Sequence, residues 1–218
     1  MLIFMMIIIT GTPGTGKTSV TESLKEDFDA EYISINSLLE DYDLNLGIDE
    51  KRGYKIVDTE KMIPIVDQIK KESEKDVIIF EGHLAQDYPN ADLVIVLRCN
   101  PDVLKKRLST RNWKDAKIHE NVSAEILGIC TEESYELYGD NVQEIETSDK
   151  TIDNLKKDII EIVLLGLILI VLVFIVSSLF CLRNVNYKFD FVDNRFKNAD
   201  LAKIVSNLSK TSGFITIL

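Results

Sequence analysis

The chain has 218 residues, 45% of them hydrophobic, with 25 Lys and Arg against 36 Asp and Glu and a formal net charge of −11. That length and apolar content suffice for one core-bearing domain plus an extension. The acidity excludes indiscriminate nucleic-acid binding, which needs an excess of Lys and Arg, and no direct sequence-specific nucleic-acid contact is expected.

Ile3–Ile9 is an apolar, β-branched run of strand length. It lacks a basic n-region and leads straight into a glycine-rich loop, so it reads as a first strand and not as a signal peptide. Met5 or Met6 is an alternative start. Gly11-Thr12-Pro13-Gly14-Thr15-Gly16-Lys17-Thr18 then fits G-x-x-x-x-G-K-[ST] at every fixed position, and Ser19–Lys25 opens a helical stretch. Strand, loop and helix are in the register that a phosphate cradle needs. Its glycines let backbone N–H groups point at a polyphosphate, and the helix N-terminus adds partial positive charge. Gly14, Gly16, Lys17, Thr18 and Ser19 are expected to bind the phosphates of ATP. Lys17 would reach the β- and γ-phosphates, and Thr18 would hold Mg²⁺.

Further strand-length runs fall at Tyr32–Ile35, Val77–Phe80, Leu93–Leu97 and Val142–Ile145. Between and after them lie helically spaced sets: Met62, Ile65, Val66 and Ile69; Val103, Leu104 and Leu108; Ile152, Leu155, Ile159 and Ile162. Strands alternating with helices predict an α/β domain over 1–162, a parallel sheet covered on both faces with right-handed crossovers. Cys99, Cys130 and Cys181 are odd in number and form no C-x-x-C pair, which reads as reduced thiols of a cytosolic protein.

Val77–Phe80 ends in Glu81-Gly82-His83. A carboxylate at a strand end beside a phosphate loop is where a Mg²⁺-organising acid belongs, so Thr18 and Glu81 are the candidate metal residues. His83 can orient a water or a phosphate, or cap a strand end. Leu93–Leu97 ends in Arg98, and Lys105, Lys106, Arg107, Arg111, Lys114 and Lys117 follow within thirteen positions, opposed only by Asp115. Such a cluster in an acidic domain predicts an anionic partner. Arg107 and Arg111, one helical turn apart, suit bidentate phosphate contacts, whereas Lys105 and Lys106 suit a solvated face. Glu146–Lys150 reads either as a purine-contacting loop or as a helix cap by Ser148 or Asp149. Trp113 is compatible with stacking or with packing.

Charge is uneven along the chain: residues 1–162 hold 19 basic against 33 acidic residues, a net of −14, while residues 163–218 hold 6 against 3, a net of +3. Val163–Leu182 carries no charge, and sixteen of its twenty residues are Val, Leu, Ile or Phe. A helix of that length spans roughly 30 Å, the thickness of a bilayer core. At about −0.3 to −0.6 kcal/mol per residue, insertion gains at most roughly 5–10 kcal/mol. The segment is read as a transmembrane helix, followed by a short tail over 183–218. A buried core helix, and an altered reading frame or fusion, remain as alternatives.

The phosphate loop, Glu81-Gly82-His83, Val96-Leu97-Arg98 and Arg107-Leu108-Ser109-Thr110-Arg111 together, in this order and spacing, resemble the adenylate kinase isoenzyme 6-like family in its archaeal form. The resemblance covers about residues 6–162. It implies the nucleoside-monophosphate-kinase version of the P-loop NTPase fold, with a five-stranded parallel sheet, an AMP-binding segment at about 34–57 and a short lid at about 110–120. It implies phosphoryl transfer, ATP + AMP = 2 ADP, with Mg²⁺, and an accompanying ATPase activity. Lys17, Glu81, His83 and Arg111 would be catalytic, with Arg111 clamping phosphates from the lid. It further implies a role in maturation of the small ribosomal subunit, through a platform ribosomal protein as partner. An assembly ATPase gated by that partner, or a kinase of another small substrate, are the alternative functions. The chain departs from the family in carrying Glu81 where Asp-x-His is usual; the longer carboxylate would reach Mg²⁺ through water. ATP places 1–162 in the cytoplasm, with any single-pass anchor at the C-terminal end.

Overall fold

The computed structural model describes residues 5–49 and 54–193. The chain divides into two compact units, 1–162 and 163–218. In the first unit the elements are β1 (Met5–Thr10), α1 (Lys17–Leu24), β2 (Glu31–Ser34), α2 (Ile35–Asp41), β3 (Asn45–Asp49), β4 (Tyr54–Val57), α3 (Thr59–Glu72), β5 (Val77–Glu81), β6 (Leu93–Arg98), α4 (Pro101–Ser109), α5 (Asp115–Leu127), α6 (Ile129–Tyr138), β7 (Val142–Glu146) and the start of α7 (Ile152–Asp193).

Five strands form a parallel sheet in the order β2-β5-β1-β6-β7. β1 is central because all six of its residues are buried, which only a strand covered on both faces and both edges achieves. Ile7 pairs with Ile79 on one side and Leu93 on the other. This register brings the C-terminal ends of β1, β5 and β6 together. Residues 3 and 4 of the expected first strand lie outside the described residues, and the strand runs one residue further, to Thr10.

Met6, Ile8, Ile78, Phe80, Val94 and Val96 of the sheet pack with Met62 and Val66 of α3 in one cluster. Burying each such side chain stabilises the domain by about 1.5–3 kcal/mol. The helix starts are locally encoded. Ser34 and Ser37 form a reciprocal cap at α2, Asp58 accepts from Lys61 N at α3, and Asn100 accepts from Asp102 N with Pro101 in the first turn of α4.

Between β2 and α3 the chain makes an excursion, α2 and the antiparallel hairpin β3–β4. Leu46 and Ile48 of β3 alternate with polar or small residues over only five positions, and they are 60% and 62% exposed, packed in no core. Residues 50–53 of the expected AMP segment lie outside the described residues. α5 and α6 were also without a sequence signal. Three of the buried positions in α5 and α6 are polar, namely Asn121, Glu125 and Ser134, so apolar spacing is weak there.

In the second unit, described to Asp193, α7 does not stop at Leu182 but continues to Asp193. The first part of the expected tail is therefore helical, and residues 194–218 lie outside the described residues. The stretch Ile152–Ser178 of this helix is long and apolar enough to cross a membrane by length and composition.

Candidate active site

The site is built where β1, β5 and β6 end. Gly11 leaves β1 with φ 136°, and a Cβ there would stand 2.3 Å from Leu97 O, so only glycine lets the loop pass this close to β6. Gly14 and Gly16 hold φ of 99° and 106° within the turn. Lys17 begins α1 and is 8% exposed; its Nζ donates to Gly11 O at 2.7 Å and Thr12 O at 3.0 Å. Burial pulls its pKa down to about 8; Arg111 adds to the fall, while Cys130, Glu81 and Glu125 oppose it. Thr18 and Ser19 are exposed on the first turn of α1.

Glu81 closes β5 beside Ile9 of β1 and is 4% exposed. The Thr18 hydroxyl makes a long contact of 3.4 Å to each of its carboxylate oxygens. Burial raises the Glu81 pKa, opposed by Lys17 and the Thr18 hydroxyl. His83 follows with an exposed edge. The protein around its ring, then Lys17 and Lys117, pull its pKa down to about 4, so it is neutral at pH 7. The structure thus brings Thr18, the neighbour of Lys17 in the phosphate loop, against Glu81, with His83 two residues beyond that acid. Arg111 lies beyond α4 with its guanidinium 5.4 Å from the Trp113 ring centre.

One buried residue beside the phosphate loop had no signal in the sequence. Glu125 of α5 is 3% exposed and accepts from the Thr12 hydroxyl of the phosphate loop, from Arg98 Nε at 2.9 Å and from Cys99 N at 2.9 Å. Arg98 also donates to Glu144 at 2.8 Å and to Thr131 at 3.0 Å, so it braces β6, β7 and α6. Arg107, expected with Arg111 to meet an anion, donates to Thr147 O at 2.8 Å and Ser148 O at 3.4 Å. It holds the loop after β7. That loop does not cap α7 through Ser148 or Asp149: Thr151 accepts from Asn154 N at 3.3 Å, and Ser148 bridges Glu146 and Asn100 N. Cys99 and Cys130 are free thiols; burial lifts the Cys130 pKa to about 11, so it stays protonated at neutral pH. A recess of about 650 Å³ opens at the ends of β6 and β7, lined among others by Arg98, Asn100, Glu125 and Glu146, away from Lys17 and Glu81.

Residues 7–128 match the family model described as AAA domain. Over 157 residues the chain is 38% identical to the protein named Putative adenylate kinase of Methanocaldococcus jannaschii, covering 72% of this chain and 85% of that one. Over 163 residues it is 37% identical to the protein of the same name from Methanosarcina acetivorans, covering 73% and 86%. Among solved structures, shikimate kinase from Bacteroides thetaiotaomicron superposes with a TM-score of 0.50 at 16% identity, covering 73% of this chain and 98% of that one. That likeness concerns the fold alone, a parallel five-stranded sheet of the phosphate-loop kinase type. Identity above one third across most of both chains places the sequence with the first two proteins: it belongs to the family of these Putative adenylate kinases.

Proposed function

We propose that residues 1–162 form a nucleotide kinase that moves the γ-phosphoryl group of ATP to AMP, giving two ADP. The observation that carries this reading is the convergence of buried Lys17, the Thr18 hydroxyl and the Glu81 carboxylate at the mouth of the phosphate loop. Phosphoryl transfer requires little covalent chemistry from the protein, so positioning and charge neutralisation dominate. Gly14, Gly16, Lys17, Thr18 and Ser19 would bind the ATP phosphates. Lys17 would exchange its two carbonyl acceptors for phosphate oxygens, and Arg111 would close on them from the lid. The excursion α2–β3–β4 supplies the acceptor segment that AMP needs.

Thr18 and Glu81 fit Mg²⁺. Among the described residues no three His, Cys, Asp or Glu side chains cluster, but Mg²⁺ needs only one or two carboxylates, with water and substrate phosphates completing its shell. A hydroxyl and a carboxylate that meet at 3.4 Å are hard oxygen donors of the right kind. When bound, the ion supplies positive charge to the phosphates. Glu81 and Thr18 would be the residues that hold it.

ATP hydrolysis is a second activity of the same site, favoured by His83, whose neutral imidazole can accept a proton from a positioned water. The helix over Ile152–Ser178 supports a membrane anchor, with the kinase unit on the cytoplasmic side where ATP is found. A coupled assay with each nucleoside monophosphate, with and without the platform ribosomal protein, separates the readings. AMP-dependent ADP formation supports the kinase. Phosphate release that needs the ribosomal protein and not AMP replaces it with an assembly ATPase.

A further inference from the structure

Trp113 lies between α4 and α5, half-buried, with its ring packed on Cys99, Leu104, Leu108 and Ile118. Two cations share this ring: Lys117 Nζ lies 4.2 Å from its centre and the Arg111 guanidinium carbon 5.4 Å from it. The ring face attracts each cation, while the two like charges repel each other. Lys117 also stands in the first turn of α5, where the helix dipole disfavours a cation. Two local preferences are thus violated at one place in a domain that is otherwise acidic. Violations of this kind mark functional positions when something else gains from them.

The helix geometry shows what gains. Lys117, Asn121 and Glu125 recur every four residues and form one stripe of α5. Asn121 Nδ2 donates to Lys117 O at 2.7 Å and is itself buried. At the far end of the stripe, about 12 Å along the axis, Glu125 grips the Thr12 hydroxyl of the phosphate loop. The face of α5 that is clamped to the phosphate loop is therefore the face that carries Lys117.

We infer that Lys117 is a second lid cation of the phosphoryl-transfer site, acting beside Arg111, and that Trp113 is the positioning residue that holds the two together until a polyphosphate takes them. No bond to Lys117 is made or broken; its ammonium donates to oxygens of the transferring phosphoryl group as their charge rearranges. The inference rests on the kinase reading above.

The test uses the full chain in detergent, with ATP, AMP and Mg²⁺ as the probes and two readouts. Trp113 is the single tryptophan of the sequence, so its emission reports the stack directly. Adding ATP with Mg²⁺ is expected to shift that emission, and Lys117→Gln to shrink the shift. In kinetics, Lys117→Gln is expected to lower kcat on the order of 10- to 100-fold, the size of one charge-assisted hydrogen bond, with the KM for AMP little changed. Lys117→Arg restores most of the rate. Trp113→Leu loses rate as Lys117→Gln does, whereas Trp113→Phe, which keeps a ring face, retains most of it. A wild-type rate in Lys117→Gln overturns the inference, as do equal losses in the Gln and Arg variants. If the wild type forms no ADP from AMP, the kinase reading fails by itself. The emission titration then decides: an ATP-induced shift that Lys117→Gln diminishes upholds phosphate binding by Lys117, and an identical titration ends it.

Discussion

Gly82 lies so close to Ile35 that a Cβ on it would stand 2.2 Å from Ile35 Cγ1 and 2.8 Å from Ile35 Cβ. Gly82 sits between Glu81 and His83, and Ile35 is the first residue of α2, so this contact joins the strand-end acid to the excursion before α3. Gly82 also holds φ 154°, a conformation that side-chain-bearing residues rarely adopt. Gly82→Ala is expected to cost about 1–3 kcal/mol from overpacking and backbone strain, read as a lowered melting temperature. Ile35→Ala in the same chain should return part of that loss, because it removes the γ- and δ-carbons in the way. Strictly additive losses in the double-mutant cycle would show that the contact is not the cause.

Lys17 gives the site a pH signature. With a folded pKa of about 8 against an ordinary 10.5, its burial opposes folding while the group is charged in both states. The penalty is relieved as pH rises from about 8 to 10.5, where the unfolded chain holds the proton that the folded chain has released. A polyphosphate reverses the shift by favouring the ammonium. ATP binding near pH 8 should therefore take up about half a proton, and almost none at pH 6. Calorimetry in two buffers of different ionisation enthalpy measures this uptake. Lys17→Ala should abolish it and lower turnover by on the order of 10²–10⁴ while leaving the fold intact. Uptake that survives in Lys17→Ala assigns the proton elsewhere, and near-normal turnover removes Lys17 from the chemistry.

The site was legible in the sequence where function is written in contiguous residues. Gly11–Thr18 follows an apolar, β-branched run and Glu81 ends another, so both are readable as strand-end residues beside one another. What escaped was long-range or polar. Glu125 meets Thr12 across 113 positions of sequence, and nothing in the surroundings of either residue points to the other. Arg107 carried the right charge one turn from Arg111, but the backbone oxygens of residues 147 and 148 occupy its guanidinium. The hairpin β3–β4 was not read as strands because its runs are short: the alternation in β3 amounts to Leu46 and Ile48 alone, and β4 is four residues long.

His83 and Glu81 should separate hydrolysis from transfer. A water must be positioned before it attacks, whereas AMP brings a placed oxygen of its own. His83→Ala is expected to depress ATP hydrolysis on the roughly 10²-fold scale of a lost general base while leaving AMP phosphorylation near-unchanged. Because the folded His83 is neutral down to about pH 4, hydrolysis should show no His83 limb between pH 5 and 7. Glu81→Gln should instead impair both reactions and raise the Mg²⁺ concentration each requires. Equal rates for wild type and His83→Ala in both assays would leave His83 a structural residue.

Leu164, Leu165, Ile168, Val171, Leu172, Val173, Ile175 and Val176 are all at least two-fifths exposed, a density of open aliphatic surface that water does not tolerate over several turns. The basic residues give little guidance on orientation, since Lys150, Lys156 and Lys157 precede the segment while Arg183, Lys188, Arg195 and Lys197 follow it, a slight bias against a cytoplasmic kinase unit. The need for ATP outweighs that bias. The kinase unit takes Leu155 and Ile159 of α7 as buried residues, and both lie before Val163. A chain ending at Ile162 should therefore stay in solution without detergent and keep its full rate, while the 218-residue chain pellets with membranes and resists carbonate extraction. If the full chain instead runs as a monomer without detergent, its helix is covered by protein and not by lipid. Loss of activity on ending at Ile162 would then show that the covering matters for the site.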